Sequence, residues 1–180
     1  MASLRKASAY SKKRVRPFTR KSGQKSKAFI KTIPPSNIVK FEMGNAGAYK
    51  NRKHKFHVGL ICEEKIQIRD NALESARQLL NKMLDTELQG QYYFVVKVYP
   101  HHILRENKAA AGAGADRISS GMTHSYGVNI GRAAIVNPGT EIFFVSCENE
   151  KGARFVRNSL GAVKSKIPCR SRIVFEKVSN

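Results

Sequence analysis

Apolar positions along the chain fall into short blocks with two different periods. Phe56, Val58, Leu60 and Cys62 alternate with His57, Gly59 and Ile61. That is a strand period, because successive side chains on a strand point to opposite faces. Ile66 and Ile68 read as its continuation after a kink near Glu63-Glu64. Upstream, Ile38 to Met43 reads as a short strand, and a loop rich in Lys and Arg runs from Gly44 to about Lys53. The spacing then changes. Ala72, Leu73, Ala76, Leu79, Leu80, Met83, Leu84 and Leu88 recur at the helical period. Asn71 with Glu74 three residues later matches a capping box, and Gly90 is the stop. This stripe is a core face, not a cofactor box.

The second half repeats the pattern. Tyr92 to Tyr99 is a dense apolar strand. Its aromatics either form a stacking platform for bases or pack on the preceding helix. Packing is favoured, since near-continuous apolar strands are usually buried. Arg132 to Val136 is a short strand, Asn137-Pro138-Gly139 a turn, and Glu141 to Cys147 another buried strand. A second helix starts near Asn149 and carries Phe155, Val156, Leu160 and Val163 on one face. Gly152 and Gly161 weaken it and Pro168 limits it. Arg172 to Val178 closes the chain as a strand. Strands separated by two helices, without a βαβ repeat, give the α+β class. The expected architecture is a mainly antiparallel sheet with both helices packed on it.

Between these halves lies a segment with almost nothing to bury. From about His101 to Gly131 the chain is Gly, Ala, Ser and isolated charges. Structureless loops longer than about 12–15 residues are uncommon in compact domains and are usually functional or disordered. This one carries Arg105, Lys108 and Arg117 among small residues such as Gly112 and Gly114. Small residues admit close approach of a partner, and spaced cations suit a polyanion.

Charge sharpens the picture. The 180 residues hold 33 Lys and Arg against 13 Asp and Glu, a net +20. Such a charge repels itself in the compact state, and nucleic acid is the partner that relieves it. Residues 1–41 hold 12 cations and no acid. They read as a basic extension (1–35) with too few apolar residues to form core, ahead of a single domain (36–180). Its Arg14, Arg16, Arg20 and Lys21 flank Pro17-Phe18. Further cations cluster at Lys50, Arg52 and Lys53, at Arg132, at Arg154 and Arg157, and at Lys164, Lys166, Arg170 and Arg172. Each cluster alone is a solvated face; together they are several phosphate-facing surfaces.

Little points to catalysis. Gly112-Ala113-Gly114 lacks the third glycine of a dinucleotide loop and the Gly-Lys-Ser/Thr ending of a P-loop. His101 and His102 are adjacent and so face opposite ways on a strand, which does not suit one metal. Cys62, Cys147 and Cys169 are odd in number and far apart, which argues against a zinc site or a disulfide framework. No run of 18 apolar residues and no signal peptide are present, so no membrane partner is expected. Without a nucleotide loop or ligand spacing, no cofactor or small-molecule substrate is expected either. The residues alone leave three readings: an RNA-binding protein, a DNA-packaging protein, and an RNA-modifying enzyme using the Gly112–Gly114 loop.

One longer match narrows them. Tyr99-Pro100-His101-His102-Ile103-Leu104-Arg105-Glu106-Asn107-Lys108, then Gly112-Ala113-Gly114-Ala115-Asp116-Arg117, Gly121-Met122, Tyr126-Gly127, Gly131 and Ala133-Ala134 resemble the core signature of one ribosomal protein family. It is universal large-subunit protein sixteen, called protein ten of the large subunit in archaea and eukaryotes. Pro17-Phe18-Thr19-Arg20, Phe41 to Asn45 and Gln67 to Arg77 support the match, and the phrasing is closest to the archaeal branch. The resemblance implies an α/β sandwich on large-subunit rRNA, cytoplasmic and non-enzymatic, beside neighbouring ribosomal proteins. It also implies a loop carrying His101, His102, Arg105, Asn107, Lys108, Gly112, Gly114, Asp116 and Arg117 toward tRNA and the peptidyl transferase centre.

Overall fold

The computed structural model describes residues 10–11, 16–107, 122, 124 and 127–178. In chain order they form β1 (Glu42–Gly44), α1 (Ala46–Lys50), β2 (Phe56–Cys62), β3 (Ile66–Arg69), α2 (Asp70–Leu88), β4 (Tyr92–Val96), β5 (His102–Glu106), β6 (Val128–Val136), β7 (Glu141–Cys147), α3 (Glu150–Val163), a 3-10 turn (Lys164–Lys166) and β8 (Ser171–Lys177). Five strands make one sheet in the order β1-β4-β7-β2-β8, and three make a second in the order β3-β6-β5. Every strand pair is antiparallel. The class is α+β, a sandwich in which α2 and α3 pack on the large sheet.

Register shows how the alternating pattern builds the core. Val58 lies opposite Val145, which lies opposite Phe94; Leu60 lies opposite Phe143, which lies opposite Val96. These rows meet Leu73, Leu80 and Leu84 of α2 and Val156, Leu160 and Val163 of α3 in one buried cluster. Each such side chain contributes about 1.5–3 kcal/mol by leaving water. The helices pack closely where Gly152 faces Leu88; a Cβ there would sit 3.2 Å from Leu88 Cδ2. Gly90, at φ +80, ends α2 as expected.

Several expectations are corrected. β3 does not continue β2. Cys62 N–H turns to the Thr140 carbonyl and Glu63 N–H to the Arg170 carbonyl, so the ladder ends and the chain crosses to the small sheet. The strand expected from Ile38 is only three residues long. Ile38 and Val39 N–H groups bond instead to Ser36 Oγ (3.3 Å) and Glu74 Oε2 (3.4 Å). The loop after Gly44 contains α1, capped by Asn45 Oδ1 on Ala48 N–H at 2.9 Å. The capping box is not formed. α2 starts at Asp70, and Glu74 is taken by Arg77 at 2.6 and 2.7 Å and by Gln78.

The two largest corrections concern the basic extension and the loop. Residues 16–35 do contribute buried apolar side chains, against the expectation from their composition: Ala28 is 0% and Ile30 2% exposed. A turn bonds Ala28 N–H to the Gln24 carbonyl, and Thr19 bridges Phe29. The segment strapped this way lies along the small sheet. The stretch 101–131 begins and ends in paired strands, with His102 opposite Ala133 and Glu106 opposite Val128. Of its apolar positions, Ile103 and Leu104 are buried by long-range pairing that no local pattern encodes, while Val128 and Ile130 stay exposed.

Candidate nucleic-acid interface

The strap meets β5 through one residue. The Phe18 carbonyl accepts Ile103 N–H at 2.9 Å, and Phe18 N–H donates to His102 Nδ1 at 2.9 Å. The His102 ring lies 5.3 Å from the Phe18 ring, and the Arg105 guanidinium lies 3.8 Å from it. Arg105 also donates to the His124 carbonyl at 3.0 Å. On β6, Asn129 donates to the Thr32 carbonyl at 2.5 Å, and Arg132 Nε to the Pro34 carbonyl at 2.7 Å. The far nitrogen of Arg132 reaches Tyr99 Oη at 3.0 Å.

These contacts revise the expected site. His102 is 2% exposed, so its ring belongs to the fold and does not face RNA. Because Nδ1 accepts a backbone N–H, the ring proton sits on Nε2. Arg105 and Arg132 hold the strap; they are half-buried rather than open to phosphate. His101 is exposed and turns Nδ1 back to the Tyr99 carbonyl, while Asn107 is half-buried and engaged. Arg14, Lys108, Gly112, Gly114, Asp116 and Arg117 lie outside the described residues.

The other cations are placed as an interface requires. Arg16, Arg20 and Lys21 are exposed on the strap, with Arg16 donating to Gln24. Lys50, Arg52 and Lys53 are exposed at the end of α1, where Arg52 adopts φ +54. Arg154 and Arg157 are exposed on α3, Lys166 on the turn after it, and Arg170 and Arg172 on the approach to and start of β8; Lys164 is half-buried. Within these clusters Arg154 pairs with Glu150, while the pairs Arg77–Glu74 and Lys97–Glu141 lie outside them. Arg20, Lys21, Lys50, Arg52, Lys53, Arg157, Lys166, Arg170 and Arg172 thus keep their charge for a partner. The clusters lie on separate elements: strap, α1, α3 and the β8 edge.

A second arrangement escaped the sequence. His54 Nδ1 lies 2.8 Å from Ser146 Oγ, and its Nε2, 4.0 Å from Glu148, has no hydrogen bond. Serine, histidine and glutamate in that order resemble a nucleophile relay, but Ser146 is 0% exposed, so no substrate reaches it. Burial holds His54 below its ordinary pKa, against the pull of Glu148. The cysteines are equally inert. All three are free, and burial pushes the Cys147 and Cys169 thiols up to about 12. Cys169 lies against Cys62, a contact that their distance in sequence hides. Among the described residues, no three His, Cys, Asp or Glu side chains gather as metal ligands.

Comparison with known proteins places this surface in context. Residues 16–174 match the family model described as ribosomal protein L16p/L10e. A large ribosomal subunit protein uL16 from Staphylothermus marinus is 41% identical over 174 residues, covering 96% of this chain and 94% of the relative. The uL16 proteins of Methanosphaerula palustris and Archaeoglobus fulgidus are 41% and 39% identical, covering 81% and 90% of this chain and 82% and 87% of theirs. All three organisms are archaea, in keeping with the branch the sequence resembles. With nearly its whole length matched, this chain belongs to the ribosomal protein L16p/L10e family.

Proposed function

We propose that this protein binds large-subunit rRNA as a multi-sided wedge and presents the segment between β5 and β6 to tRNA near the peptidyl transferase centre. As a family member it is a structural constituent of the large ribosomal subunit, acting in the cytoplasm within the ribosome, and is not an enzyme. The observation that carries the rRNA reading is the set of exposed, unpaired cations on strap, α1, α3 and β8. Clusters on several separate elements suit a protein wedged between RNA helices better than one seated on a single duplex. The tRNA part rests on the family resemblance.

Salt titration tests the reading. Each phosphate contact releases condensed counterions, so six to ten contacts lower affinity by about 10³–10⁵ between 50 and 200 mM salt. Full-length protein is titrated against large-subunit rRNA and against duplex DNA of equal length. Steep salt dependence with preference for the rRNA is expected. A flat response, or equal affinity for the DNA, overturns it, because only the RNA presents A-form shape and 2′-hydroxyls.

A further inference from the structure

The aromatics at and beyond β4 are used in two ways. Tyr92, Tyr93 and Phe94 are 1%, 9% and 0% exposed and pack inside the protein. Tyr99, past the strand end, is 54% exposed. Yet it is not loose. His101 N–H and His101 Nδ1 both reach its carbonyl, at 2.9 and 3.0 Å. Its ring stacks on Phe41, with centroids 5.7 Å apart and planes 30° apart. Its hydroxyl oxygen accepts from Arg132, which is itself fixed on the Pro34 carbonyl. Two separate segments, through Phe41 and Arg132, therefore hold the ring of a residue that stays more than half open.

Such a ring is arranged in advance for a flat partner. The entropy of fixing its rotamer is already spent in folding, so a ligand that stacks on it does not bear that cost. The partner must tolerate a cation, because the Arg132 guanidinium touches the hydroxyl edge. It must also tolerate the +20 chain around it. An unpaired RNA base with its phosphate satisfies both conditions: its π-face meets the ring and its phosphate meets the positive charge. An apolar protein side chain satisfies only the first.

We infer that Tyr99 is a stacking platform for one unpaired base of large-subunit rRNA, extending the Phe41–Tyr99 stack, with Arg132 as the group that positions the ring. This rests on the rRNA reading above. It adds a contact that does not depend on phosphate number.

The test compares full-length wild type, Tyr99→Phe and Tyr99→Leu for binding to large-subunit rRNA at several salt concentrations, with thermal melts as a folding control. Tyr99→Leu keeps apolar bulk but removes the π-face, and should weaken binding roughly 5- to 150-fold at every salt concentration with an unchanged salt slope. Tyr99→Phe keeps the π-face and loses only the Arg132 bond, so it should bind less tightly than wild type and clearly more tightly than Tyr99→Leu. In a parallel arm, a short single-stranded RNA carrying one 2-aminopurine should be quenched by wild type and Tyr99→Phe, and not by Tyr99→Leu. Wild-type affinity in a folded Tyr99→Leu overturns the platform. So does an equal loss in Tyr99→Phe, which would make the hydroxyl bond the cause. If wild type itself shows no steep salt dependence with rRNA, the rRNA reading has failed, and the platform falls with it.

Discussion

The Arg105 guanidinium stands 3.8 Å from the centre of the Phe18 ring, across 87 residues of chain. Arg105 sits near the end of β5, where the chain leaves the sheet, and Phe18 sits on the strap. The pair therefore ties the basic N-terminal segment to the root of the β5–β6 connection. A cation–π contact contributes about 0.5–2 kcal/mol depending on desolvation, and the ring contact with His102 about 0.5–1.5 more. Phe18→Leu is expected to lower stability by about 1–3 kcal/mol in urea denaturation. An unchanged midpoint would show that the strap is held by its backbone bonds alone.

Deleting residues 1–33 is expected to damage the fold itself. The deletion removes Ala28 and Ile30 from buried positions and leaves Ile103 N–H without its Phe18 acceptor. Burial of one isoleucine side chain is worth about 1.5–3 kcal/mol, and an orphaned buried donor costs about 1–3 more. The truncation should melt several degrees below wild type by circular dichroism. Melting at the wild-type temperature would show that the segment adds nothing to the stability of the fold.

Acidification should destabilise the protein before its carboxylates titrate. Burial lowers the His54 pKa from 6.5, aided by His57 and opposed by Glu148. Burial also lowers that of His57, aided by Lys97 and opposed by Glu176 and Glu141. Both folded values lie below the unfolded one, so between them the unfolded chain binds more protons. Stability from these groups is complete above 6.5 and is lost as pH falls below it through the folded values. Urea midpoints should drop from about pH 7.5 to about pH 5.5. His54→Asn, which can still bond Ser146, should flatten the slope. A midpoint that rises on acidification would contradict the assignment.

Replacing residues 108–121 with a short Gly-Ser linker is expected to spare folding. β5 and β6 are already paired on either side, from His102–Ala133 to Glu106–Val128. Large subunits carrying the replacement should retain the protein and lose rate in peptide-bond formation. Misplacement of about 1 Å in a positioned reactant can cost 10²-fold. Wild-type rates and wild-type tRNA binding would reduce the segment to a connector.

What was legible in the sequence was what depends on local period. The stripe from Leu73 to Leu84, the alternation from Phe56 to Cys62, and the blocks at Glu141 and Arg172 all became the elements they predicted. What misled was tertiary. Glu74 stood at capping-box spacing, but the Arg77 guanidinium outcompeted the helix end for its carboxylate. His102 looked like part of an open loop because its partner, Phe18, is 84 residues away. Ala28 and Ile30 were hidden among lysines, since composition counts charges and not which face they leave bare. The cation clusters were legible as clusters, but sequence did not separate Arg20 or Arg157, which stay open, from Arg132, which is engaged in holding the strap. Tyr99 lies past the end of β4, while Tyr92, inside it, is buried against α2.

The placement of β2 inside the large sheet sets the order in which the chain completes itself. Its neighbours on both sides, β7 and β8, come from the last 40 residues. No ladder on β2 can close until those residues exist. At about 5–20 residues per second, synthesis leaves β2 unpaired for several seconds or more. Pairings this distant in sequence are also slow to find. Through that interval Val58 and Leu60 are uncovered, and until β6 emerges the lysine-rich strap has no complete sheet to lie on. A newborn chain is thus at once sticky and strongly cationic among cellular RNA.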